Sequence, residues 1–169
     1  MTKIRKILAP VDLSEFSRLG VRYALDLAQW QQSEVLIFNV ITLEETPFPQ
    51  GREEWVVQQT ETPKFKKLID QRRKLFERFV RESCGDTPPN GRVSHDIGIG
   101  TPYKRIIEKA QEIAADLIVM PTHGRTGLVH MLIGSVTERV LRRAPCPVLA
   151  IPALKEPKRS SRKKLLFRA

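Results

Sequence analysis

Several things are scarce or missing in this 169-residue chain, and each absence narrows its chemistry. No apolar run approaches the ~18 residues that a membrane-spanning helix needs. The opening stretch, Met1 to Asp12, has too short an apolar run for a secretory leader and closes on a carboxylate, so a cytoplasmic location is expected. Cys84 and Cys146 are the only cysteines and have no CxxC spacing, which indicates neither a disulfide framework nor a zinc site. Aromatic residues make up 7% and do not interleave with the basic segments, which argues against stacking on single-stranded nucleic acid. No Gly-Lys-Ser/Thr occurs, so there is no Walker A loop, and no Gly-x-Ser-x-Gly supports a serine hydrolase. The single GxG, Gly98-Ile-Gly100, lacks the third glycine of a dinucleotide fingerprint.

What is present is basic. The formal net charge is +10, and residues 64–81 and 155–169 each carry +6, leaving the remainder at −2. Residues 64–81 also repeat apolar positions at helical spacing, so their cations read as the solvated outer face of an amphipathic helix or, together with the terminal segment, as a surface for nucleic acid or another anionic partner. The terminal segment 155–169 could meet an anionic partner, nucleic acid or a membrane surface, with Leu165 to Phe167 as an apolar anchor. It reads equally as a disordered extension or as a surface for a partner subunit.

Between these segments the periodicity alternates. Short apolar runs at 4–10, 34–41, 92–99, 116–120 and 147–151 read as strands. Helical spacings fill 14–31, 64–82, the stretch opened by Gly100-Thr-Pro102, and 135–143. Asp12 or Ser14 is placed to cap the first helix. Residues 42–63, with Pro47, Pro49, Gly51 and Pro63, read as a long irregular connection, and Asp86 to Gly91 as a turn. Strands alternating with helices imply one α/β domain, an open doubly wound parallel sheet with helices on both faces. Such sheets bind ligands beyond the carboxyl ends of their strands, where the strand order reverses. The ends at Pro10-Val-Asp12, Val40-Ile41 and Pro121 would then share one crevice.

The most informative stretch follows the fourth strand: Met120-Pro-Thr-His-Gly124-Arg-Thr-Gly127, then Gly134-Ser135-Val136. Gly124 and Gly127 let backbone approach a ligand, and Gly134-Ser135 opens a helix whose unpaired N–H groups suit an anion. Arg125 adds positive charge. The same glycines would equally serve a tight strand-to-helix crossover that binds nothing. His123 and His130 lie in this loop, but no acidic partner follows the strand before Glu138, so no catalytic base is identified.

This stretch resembles the signature of the universal stress protein family, whose ATP-binding members carry Gly-x2-Gly-x9-Gly-Ser/Thr at this place. Gly124-x9-Gly134-Ser135 fits that spacing, and Lys6 to Asp12, Gly100-Thr-Pro102, Ala115 to Met120 and Ala144 to Leu149 extend the likeness over about residues 3–152. The resemblance implies an adenine-nucleotide α-hydrolase-like fold with sheet order 3-2-1-4-5. It further implies a domain at 1–154 with a tail at 155–169, a homodimer formed through the last strand, and ATP, with or without magnesium, as a switch for partner binding. Residues carried over are Pro10 and Asp12 near ribose and adenine, Val40 reading the adenine edge, Met120 and Pro121 beside the ribose, and Gly124, Gly134, Ser135 and Val136 about the phosphates. One position departs: the family's first motif glycine is Pro121 here. Proline either removes an N–H donor or crowds the ribose with its ring.

Overall fold

The computed structural model describes residues 3–46, 61–85, 92–123 and 133–152. Residues 47–60, the turn at 86–91, Gly124 with the rest of its loop to 132, and the basic tail lie outside the described residues. The elements are β1 (Lys6–Val11), α1 (Glu15–Gln31), β2 (Glu34–Ile41), α2 (Pro63–Cys84), β3 (Val93–Ile99), α3 (Pro102–Glu112), β4 (Leu117–Pro121), α4 (Ser135–Leu141) and β5 (Val148–Ile151). The five strands form one all-parallel sheet in the order β3-β2-β1-β4-β5. This is the doubly wound α/β architecture expected.

Strand parity decides which layer each residue joins. Ile7, Ala9 and Val11 of β1 and Leu117 and Val119 of β4 meet Val21, Ala24, Leu25 and Ala28 of α1 and Phe76 and Phe79 of α2. The intervening residues Leu8, Phe38, Val40, Ile118 and Met120 face Ile106 and Ala110 of α3 and Val140 of α4. Two cores thus sandwich the sheet, which is why its central strands are near-continuous apolar runs.

Local chemistry sets the helix starts. Ser14 caps α1: its hydroxyl accepts from the Ser17 N–H at 3.2 Å, and Ser17 answers through its own hydroxyl with the Ser14 N–H at 3.1 Å. Of the two candidate caps, Ser14 takes the role, and Asp12 braces it from behind. Pro63 and Pro102 stand in the first turns of α2 and α3, where a missing N–H costs nothing. The connection after β2 is more ordered at its start than its composition suggested. Leu43–Glu45 make a 3-10 turn with a capping box between Thr42 and Glu45. Among the described residues, no helix is long and apolar enough to cross a membrane.

Candidate functional site

The sheet opens at its carboxyl edge because its ladders end at different heights. β1 stays paired with β2 as far as Val11↔Asn39, and β4 with β5 as far as Pro121↔Ile151. The pairing of β1 with β4 stops at Leu8↔Ile118. Beyond that step the two central strands part, at the point where strand order reverses. A cavity of about 340 Å3 lies in the opening.

Its walls come from strand and helix ends. Pro10, Val11 and Asp12 end β1; Phe38 and Val40 belong to β2, with Thr42 and Glu45 in the turn after it; Pro102 and Ile106 start α3; Met120, Pro121 and His123 leave β4; Gly134 to Thr137 begin α4. Eight residues singled out from the sequence, Pro10, Asp12, Val40, Met120, Pro121, Gly134, Ser135 and Val136, therefore meet on one cavity, and Gly124 lies outside the described residues. Sequence reasoning passed over Phe38, Thr42, Glu45, Ile106 and Thr137, and weighed His123 only as a base. Thr42-Leu-Glu-Glu45 has capping-box spacing and was the one legible signal among them.

The polar groups in the walls are tied into the fold. Asp12 Oδ1 accepts from the Ser17 hydroxyl at 2.7 Å and the Ser14 N–H at 3.0 Å, so this carboxylate both faces the cavity and fixes the turn into α1. Leu13 completes that turn with φ +64, a left-handed conformation unusual for a branched side chain. Buried Asn39 donates to the Val11 carbonyl at 2.8 Å, securing the last residue of β1, while its Oδ1 has no partner among the described residues. The Thr137 hydroxyl donates to the Pro121 carbonyl at 2.9 Å, joining α4 to β4. Thr122 Oγ1 and His123 Nδ1 are 2.9 Å apart.

Gly134 comes very close to the end of β4. Its N–H donates to the Thr122 carbonyl at 2.6 Å, and a Cβ there would stand 3.2 Å from the same oxygen. This glycine thus serves the crossover itself. Its consequence for a ligand is indirect: glycine offers no side chain to cap α4, whose first turn lines the cavity.

Pro121 takes the place of a motif glycine, and strand parity decides what its ring does. Residues 117, 119 and 121 alternate towards α1, and Pro121 Cδ lies 3.3 Å from where a Cβ on Gly20 of α1 would sit. The ring therefore packs against the space left by Gly20, while the residue also lines the cavity. Its lack of an N–H breaks no strand ladder, because β1 has already separated from β4.

A family model, the universal stress protein family, matches residues 3–152. The chain belongs to that family. Relatives span its length: universal stress protein MJ0531 of Methanocaldococcus jannaschii is 29% identical over 156 residues, which is 92% of this chain and 84% of the relative. The solved structure of MJ0577, a universal stress protein of the same organism, superposes with a TM-score of 0.69 at 25% identity, covering 91% of this chain and 99% of that one. A universal stress protein solved in complex with cAMP shares the fold at 20% identity and a TM-score of 0.58, covering 89% and 98%. The sheet order observed here is that of the adenine-nucleotide α-hydrolase-like fold of this family.

Both thiols lie away from the cavity and are partly buried. Burial pushes the Cys84 thiol above its ordinary pKa; burial does the same to Cys146, helped by the Asp116 carboxylate. Neither is set up as a nucleophile. Among the described residues, no group of three or more His, Cys, Asp or Glu is placed to hold a metal ion.

Proposed function

We propose that this stress protein binds ATP in the crevice between β1 and β4, and that the bound nucleotide is a signal read by a partner. The observation that carries this reading is the convergence of the β1 end, the β2 end, the β4 end and the uncapped start of α4 on a single cavity of about 340 Å3. That volume is in the range of small-molecule sites.

The two sides of the cavity differ in chemistry. Phe38, Val40, Pro102 and Ile106 make an apolar wall on the β2 side, suited to the face of a purine, and Val40 main-chain groups would read its edge. On the β4 side, Ser135, Val136 and Thr137 present first-turn N–H groups, donors that suit phosphate oxygens, and Gly124 would close that side. Asp12, Pro10, Met120 and Pro121 lie between and would flank the ribose. Magnesium, when it accompanies ATP, neutralises phosphate charge; the nucleotide itself would hold it, with Asp12 as a nearby carboxylate. A cAMP complex in a protein of the same fold supports nucleotide occupancy.

The remaining parts of the reading concern assembly. β5 is a sheet edge with Leu149 part-exposed, where a second copy could pair through its own β5 and form a homodimer. Residues 1–154 would act as the nucleotide domain and 155–169 as a separate basic segment for an anionic partner, in a cytoplasmic protein.

Calorimetric titration of nucleotide-free protein with ATP and magnesium tests the proposal. Saturable binding near one ATP per chain at a Kd of about micromolar is expected. No heat up to about millimolar ATP would overturn it.

A further inference from the structure

Seven of the eight cations between residues 64 and 81 are exposed, as an outer helix face requires; Arg72 is the exception. Its side chain is 10% exposed, and its guanidinium donates to Oε1 of Glu45, whose side chain is 22% exposed. The other carboxylate oxygen of Glu45, Oε2, accepts from the Thr42 N–H at 2.9 Å and lies 3.2 Å from the Thr42 hydroxyl. Both oxygens are therefore engaged, and the acid is folded back on its own turn.

The location gives this ion pair a role beyond stapling. Glu45 and Thr42 line the cavity beside Phe38 and Val40, on the face covered by α3 and α4. Arg72 belongs to α2, whose Phe76 and Phe79 pack on the opposite face. The pair thus reaches over the carboxyl edge of the sheet, from the back layer to the rim of the site. Removing one member of a half-buried pair leaves the other charge in need of solvation. Glu45 lines the cavity, so that open space is within its reach.

We propose that Arg72 is a positioning residue for the nucleotide site: it holds the Glu45 carboxylate against Thr42 and keeps it out of the purine side of the cavity. This inference rests on the ATP reading given above. It assigns part of the site's shape to a helix that lines none of it.

The test is calorimetric titration of ATP and of adenosine into wild-type protein, Arg72→Met, Arg72→Lys and the double variant Arg72→Met/Glu45→Gln, each checked for folding by its melting temperature. Arg72→Met is expected to weaken both ligands about tenfold, adenosine as much as ATP, because the intruding acid lies at the base and not at the phosphates. Arg72→Lys keeps the charge and is expected to stay within about threefold of wild type. The double variant is expected to recover to within about threefold as well: the glutamine that replaces Glu45 still accepts from the Thr42 N–H and carries no charge to solvate. If Arg72→Met fails to fold, the lysine and double variants carry the comparison on their own, and tenfold weakening of the double variant overturns the proposal. A folded Arg72→Met that binds like wild type overturns it too. So does a double variant no better than Arg72→Met, which would mean that loosened packing of α2 and not the freed acid was at fault. Wild-type protein that binds neither ligand overturns the nucleotide reading and this proposal together; every other adverse result overturns this proposal alone.

Discussion

Replacing Pro121 by glycine restores the residue that the family motif carries, and the obvious expectation is tighter nucleotide binding. The structure supports it and attaches a cost. The Ile118 and Thr122 N–H groups donate to β5, so one restored at position 121 would face the gap between β1 and β4, where the cavity opens. One added hydrogen bond to a charged group, about 1.5 kcal/mol, is expected to raise ATP affinity in Pro121→Gly about tenfold. Stability should fall. Pro121 is buried; losing three ring methylenes at ~0.8 kcal/mol each removes ~2.4 kcal/mol of burial. The added backbone freedom of glycine costs up to about 1 kcal/mol more. The total of about 3 kcal/mol corresponds to a melting temperature lower by roughly 6–12 °C for a domain of this size. Calorimetric titration and a melting curve on the same preparation read both quantities. Unchanged ATP affinity would refute the reasoning, because the donor would then be missing the ligand. A second comparison uses Gly20→Ala, whose new Cβ would meet Cδ at 3.3 Å. Gly20→Ala should be better tolerated in the Pro121→Gly background than in wild type, a coupling readable in a double-mutant cycle.

Three further outcomes are expected. Gly134→Ala puts a Cβ 3.2 Å from the Thr122 carbonyl, an oxygen with little room to move, and should cost about 1–3 kcal/mol in urea denaturation while weakening ATP binding. Asp116 accepts the Arg5 and Lys6 N–H groups at 2.7 and 3.0 Å, and those bonds hold its carboxyl below the ordinary value of 3.8. A folded-state pKa below the unfolded one gives stability that is complete above the ordinary value and fades as pH falls through the lowered one. Urea midpoints measured downwards from about pH 6 should decline less steeply in Asp116→Asn than in wild type, and parallel curves would contradict the assignment. Cys84 and Cys146 should react slowly with a disulfide reagent near neutral pH and fully once the chain is unfolded, since burial holds both as thiols; rapid labelling of folded protein would contradict this.

The fold was legible because it is periodic. The runs at 34–41 and 116–120 read as strands, and both form strands of the sheet with nearly every residue buried. The sheet order came from the resemblance, since no periodicity tells β1 which neighbours to take. For the site, strand ends and glycine spacing indicated which residues would gather, but not the geometry between them. The pairing of Arg72 with Glu45 spans 27 residues of chain, and charge counting placed Arg72 with its exposed neighbours. The direction of the Pro121 ring, by contrast, was within reach: Leu117, Val119 and Pro121 share a parity, and that alone sends the ring towards α1. Gly20 as its counterpart was not, because a glycine within a helix gives no sign of what lies against it.

The contact between Gly20 and Pro121 also bears on how this sequence can change over generations. With proline at 121, a side chain at position 20 meets a tight contact at 3.3 Å; with glycine at 121 that contact is relieved. The two sites, one outside the nucleotide motif and one inside it, are therefore coupled in what they accept. A lineage that carries Pro121 is thereby biased towards a small residue at position 20, so the motif's departure from its family pattern is accommodated by a helix outside the motif.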